Sequence, residues 1–157
     1  MIDIETIAAA IHETYRALSR SEGWSLRSGL DRPYAELDEA DKEDNRAAVR
    51  RMTDVLAAGH LALSDDAAAP EVPEAALAAK LEQMAEAEHI GWMAHRSDDG
   101  WRWGEQRDDE AKRHPSMRPY ALLSEEEKDK DRNNVRHYKD FAAHAGYHIT
   151  WLPQGST

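Results

Sequence analysis

The stretch from Glu86 to Tyr120 gathers side chains suited to binding: His89, His95 and His114, Trp92, Trp101 and Trp103, and a mixed-charge run from Arg107 to Arg118. An indole offers a broad apolar face and one N–H donor, which suits clefts for flat, partly polar ligands. The same rings also serve as small-domain cores. His89 precedes Trp92 by three residues, and His12 precedes Tyr15 by three, so on helices each pair shares one face. Glu86-x-x-His89 has the spacing of two metal ligands on one face. A carboxylate-bridged metal pair needs two such motifs, and Ala9 stands where the second glutamate is required. We expect no metal and no cofactor. No nucleophile elbow, phosphate-binding loop or dinucleotide fingerprint occurs, and no acidic pair stands apart in its surroundings. The chemistry expected is recognition, not turnover, so the chain is not expected to be an enzyme.

Positioning these residues requires helices and short strands. Asp3 caps a helix in which Ile4, Ile7, Ile11, Tyr15 and Leu18 recur at helical spacing, ending near Gly23. Trp24–Leu26 reads as a short extended piece. Asp38 caps a second helix, roughly 39–57, and Leu61–Leu63 reads as a strand. An acidic, proline-containing segment, 64–74, is the expected linker. A third helix is expected over 74–96 and a charged loop over 107–113. A fourth helix is expected from Ser124 to about His144, then a strand over 147–151 and a loose tail over 152–157.

The chain repeats itself. At an offset of 77, Ala8, His12, Ala17, Gly23 and Trp24 fall on Ala85, His89, Ala94, Gly100 and Trp101, and Tyr15 falls on Trp92. At an offset of 86, Arg32-Pro33-Tyr34-Ala35 becomes Arg118-Pro119-Tyr120-Ala121, and Leu37, Glu39, Lys42, Arg46, Val49 and Arg50 recur as Leu123, Glu125, Lys128, Arg132, Val135 and Arg136. The offset grows because the second copy carries an extra loop within Gly104–Met117. The expected fold is mainly α (α+β): two tandem helix–strand–loop–helix–strand repeats packed about a pseudo-two-fold axis, residues 1–63 and 75–151, in one compact unit. Retention of Trp24 and Trp101 in both copies argues that they pack in the core, although Trp101 could also wall a cleft.

Composition narrows the partners. A formal charge of −11 disfavours broad binding to phosphate backbones, so no nucleic acid is expected. Cysteine is absent, which removes disulfides and thiolate chemistry. No apolar run approaches the ~20 residues of a membrane span, and the N-terminus has no basic region of a secretory signal, so a soluble cytoplasmic protein without membrane partners is expected.

The second copy resembles the RyR domain, found in tandem in ryanodine receptors and in small bacterial and phage proteins. The resemblance rests on His89-x-x-Trp92, Gly100-Trp101-x-Trp103-Gly104, Arg107-Asp108-Asp109, His114-Pro115, Tyr120, Leu123 and Ala145-Gly146-Tyr147-His148-Ile149. The first copy keeps His12-x-x-Tyr15, Gly23-Trp24, Tyr34 and Leu37 but lacks the Arg-Asp-Asp and His-Pro loop. A further departure is Glu105 where the family carries proline. The resemblance implies a cleft between repeats that takes adenine nucleotides and flat molecules against tryptophans, with no established catalytic activity. On that reading His12, Tyr15, His89, Trp92, Trp101, Trp103, Arg107 and His114 bind ligand, with a purine between Tyr15 and Trp92. The expected function is binding of an adenine nucleotide or an ADP-ribose-like signal. A protein-interaction module using the same cleft is the alternative, and a nucleotide hydrolase a second.

Overall fold

A computed structural model describes residues 2–153; the expected tail lies outside them except for Leu152 and Pro153. The chain is mainly helical, with two small two-stranded sheets among the described residues. Its elements group into two compact units. One holds the residues up to Val72 and those from His137 onward, and the other is Pro73–Arg136.

In the first unit, α1 (Ile4–Glu22) begins at Asp3, whose carboxylate accepts from the Thr6 N–H at 3.2 Å. It ends at Gly23, which adopts φ 76°, a left-handed conformation that glycine enters without steric cost. α2 (Glu39–Ala58) leads into β1 (Leu61–Ser64). α6 (Tyr138–His144) and β4 (His148–Trp151) complete the unit. β1 and β4 pair antiparallel, with Leu63 opposite Ile149. The core draws on both ends of the chain: Ile7, Val49, Met52, Leu56 and Leu61 are buried, as are Tyr138, Phe141 and Ile149. The segment read as linker is tied down over 69–72. The Val72 N–H donates to the Ile149 carbonyl at 2.9 Å, and the Thr150 hydroxyl donates to the Pro70 carbonyl at 2.7 Å. Proline lacks an N–H but its carbonyl still accepts, so a proline-containing segment can run beside a sheet edge.

The second unit contains α3 (Glu74–Ala79), α4 (Leu81–Asp98), β2 (Arg102–Trp103), β3 (Arg113–His114) and α5 (Glu125–Arg136). The expected third helix breaks at Lys80 and the expected fourth at His137. The charged loop after Trp103 returns as β3, which pairs with β2. No strand forms at Trp24–Leu26.

One brace recurs. His12 Nε2 lies 2.7 Å from the Arg32 carbonyl, and His89 Nε2 lies 2.7 Å from the Arg118 carbonyl. A proline follows each arginine and starts a single 3₁₀ turn, Tyr34–Glu36 or Tyr120–Leu122. The Tyr34 hydroxyl donates to Glu5 and the Tyr120 hydroxyl to Glu82. Arg46 grips Glu5, Glu39 and Glu43; Arg132 grips Glu82, Glu125 and Asp129. Arg132 and Tyr120 together hold the Glu82 carboxyl down at about 2, against an ordinary 4.5. A depressed carboxylate stabilises the fold above its unfolded value and loses that contribution as pH falls through the folded one. Glu82→Gln should therefore flatten the fall in melting temperature between about pH 4.5 and pH 2, measured by thermal unfolding across that range. The effect should be small, because the Glu82 side chain is 60% exposed and its ion pair is screened by water.

Candidate functional site

The second unit holds three of the five tryptophans and eleven of the twenty lysines and arginines. α4 carries His89 and Trp92 on one face, and their rings stack with centroids 5.7 Å apart and planes 26° apart. His114, brought in by β3, meets the edge of Trp92 at 5.2 Å and faces Trp101 at 6.3 Å. The Arg96 guanidinium lies 5.7 Å over the Trp101 ring. Trp92 is half-buried, Trp101 is 8% exposed and Trp103 is 51% exposed.

β2 and β3 come together because Gly104 has no side chain. A Cβ there would lie 2.6 Å from the Cβ of Arg113, closer than packed atoms allow. Gly104→Ala should displace β3 and with it His114, seen as altered His114 and Trp92 resonances in NMR spectra while the α1 and α2 signals stay in place. Trp103, Arg107 and Arg113 line an open groove at the loop between these strands, where Arg107 is paired with Asp109 at 2.7 Å.

The two histidines beside Trp92 sit in opposite electrostatic surroundings. His89 is 1% exposed. Its Nδ1 lies 3.2 Å from the Asp131 carboxylate and its Nε2 lies 2.7 Å from a carbonyl, so each ring nitrogen faces an acceptor and must donate. Burial works against the charged form, but the bonds to Asp131 and to the Arg118 carbonyl outweigh it, and the pKa is raised. The Nδ1 of His114 instead accepts from the Ser116 N–H at 3.0 Å, which leaves the proton on Nε2. Burial pushes the His114 pKa down, and the nearby cations Arg107, Lys130 and Arg96 push it further. In the loop beyond, Arg118 donates to Glu127 at 3.2 Å, while its Nε is buried and makes no hydrogen bond.

The structure thus brings together His89, Trp92, Trp101 and His114, with Trp103 on β2 and Arg107 on the loop that follows it. His12 and Tyr15 belong to the other unit. There His12 is 5% exposed and holds the Arg32 carbonyl, and the half-buried Tyr15 ring lies 5.5 Å from Phe141. Trp24 corrects an expectation. It is 40% exposed, with its Nε1 donating to Glu22, whereas its counterpart Trp101 is buried. The ring that lies against Trp101 comes from the extra loop, which the first copy lacks.

Sequence reasoning missed Asp131 and the pair of buried Glu88 and half-buried Asn134, whose Nδ2 donates to Oε1 at 2.7 Å. The signal was available in the mismatches between copies. Asn45 stands at the position of Asp131, and Ile11 and Ala48 at those of Glu88 and Asn134. Among the described residues no helix is long and apolar enough to cross a membrane, and no group of histidine and carboxylate side chains could hold a metal.

Comparison with known families bears on this arrangement directly. The model of the RyR domain matches residues 70–151, just over half of the chain, and that span carries α4, the β2–β3 pair, the second tyrosine brace and β4. The chain belongs to the RyR domain family.

Proposed function

We propose that this chain is a non-enzymatic module that binds a flat, anionic ligand, an adenine nucleotide or an ADP-ribose-like molecule, on the aromatic surface around Trp92. The observation that carries this reading is a half-buried indole met edge-on by His114, with Arg107, Lys130 and Arg96 nearby and Glu127 opposing them, within a chain of net charge −11. Basic side chains beside an aromatic ring in an acidic protein favour a small anion over an extended polyanion. Stacking supplies affinity for a base, and the His114 Nε2–H supplies a donor.

The chain also reads as a tandem pair of RyR-type repeats. The same brace occurs at residues related by the two sequence offsets. Leu63 opposes Ile149, its own equivalent at offset 86, as a two-fold relation between copies would give at the centre of an antiparallel ladder. Repeat residues such as His12, Tyr34 and Arg46 then have structural work, and the second copy adds Arg107 and His114 on the loop it alone possesses.

Ligand binding should raise the melting temperature. At a hundredfold excess over Kd the stabilisation is ~2.7 kcal/mol, so a thermal-shift series with AMP and ADP-ribose tests the reading. Absence of any shift with either compound at millimolar concentration would leave the protein-interaction alternative ahead. Duplex DNA at physiological salt should give no retention in a micromolar gel-shift series.

A further inference from the structure

We propose that a charged His89, held by Asp131 and the Arg118 carbonyl, sets which flat ligands Trp92 accepts: neutral or anionic rings, and not cationic ones. This rests on the reading of Trp92 as a binding face. The indole has two faces, and His89 is stacked on one. An imidazolium in that position draws on the electron density that would otherwise attract a cation to the opposite face. A second cation above the ring would also be repelled by the first across one ring thickness, in a partly buried setting where screening is weak.

The charge on His89 is built in by its surroundings. From α5 the Asp131 carboxylate contacts Nδ1, and Glu127 adds negative potential. From the loop, the Arg118 carbonyl takes the other proton. From the 3₁₀ turn, Tyr120 presents its ring at 6.1 Å, with its hydroxyl committed to Glu82 and Lys128 over its face. His114 meets Trp92 edge-on, and its Nδ1 accepts from the Ser116 N–H, so it brings no second imidazolium to the ring. The first copy differs at one decisive point: Asn45 replaces Asp131, so no carboxylate stands at the corresponding place beside His12.

The test uses the full chain and two monophosphates that differ in ring charge, AMP and nicotinamide mononucleotide. Labelled histidine NMR should show both His89 ring nitrogens protonated at pH 7, and calorimetry should show AMP binding roughly tenfold more tightly than the cationic nucleotide. Asp131→Asn should shift His89 to a single-proton tautomer and shrink that preference to about threefold or less. His89→Gln, a neutral donor of similar reach, gives a second reading of the same effect should the first variant fold poorly. A wild-type preference that persists unchanged in the variants overturns the inference while leaving nucleotide binding intact. So does a His89 with one proton at pH 7. If neither nucleotide binds the wild type, the binding reading fails and this inference fails with it.

Discussion

Neither residues 1–63 nor residues 74–157, prepared as separate chains, should show a cooperative thermal transition. The first piece would lose α6 and β4, and with them Tyr138, Phe141 and Ile149, which share one buried core with Ile7, Val49, Leu56 and Leu61. Removing one such aromatic side chain costs about 3–5 kcal/mol, against a total stability of roughly 5–15 kcal/mol for a domain. β1 would also lose its only strand partner among the described residues. The second piece keeps β4 without β1, leaving a sheet edge and an apolar face uncovered. Mixing the two pieces should restore a cooperative melt and dispersed amide resonances. Well-dispersed spectra from both isolated pieces would contradict the shared core.

Much of this was legible in the sequence because the brace recurs. A histidine, a glutamate two helical turns before it, an Arg-Pro-Tyr and an arginine on the following helix all return at fixed offsets, and each recurrence corresponds to a contact in the structure. The strands expected over 61–63 and 147–151, each after a stop with one glycine, form at Leu61–Ser64 and His148–Trp151. What the sequence did not disclose depends on non-local pairing. Periodicity says nothing about which strand β1 joins, so the grouping of α6 and β4 with the first-copy helices was not readable. The proline-containing segment looked like a linker because its hydrogen bonds are made to a strand 79 or 80 residues away. The fate of Trp24 depended on an insertion present only in the other copy. The carboxylate beside His89 was not readable either, because Asp131 lies on another helix.

Trp92→Ala and Trp101→Ala should separate binding from stability. Trp101 is 8% exposed and covered by His114 and Arg96, so its removal leaves a cavity costing roughly 3–5 kcal/mol. Trp92 is half-buried, with His89 on one face, so its loss should cost the fold clearly less. For ligand the order reverses. A stacked base contributes roughly 1–3 kcal/mol through its aromatic partner, and Trp92→Ala forfeits that contribution. Paired urea melts and calorimetric titrations on the two variants would show the crossover. A Trp92 variant as destabilised as the Trp101 variant would place Trp92 in the core and remove it from the binding surface.

The most direct measurement is a tryptophan-fluorescence titration of the full chain with ADP-ribose and with AMP, alongside a calorimetric titration of Trp92→Ala, which lacks the reporting indole. One of five tryptophans is expected to respond, so the change should be partial, saturable and accompanied by a rise in melting temperature. Affinity in the variant should fall by roughly tenfold or more. No saturable change at millimolar ligand, or equal affinity in wild type and Trp92→Ala, would contradict nucleotide recognition at this site.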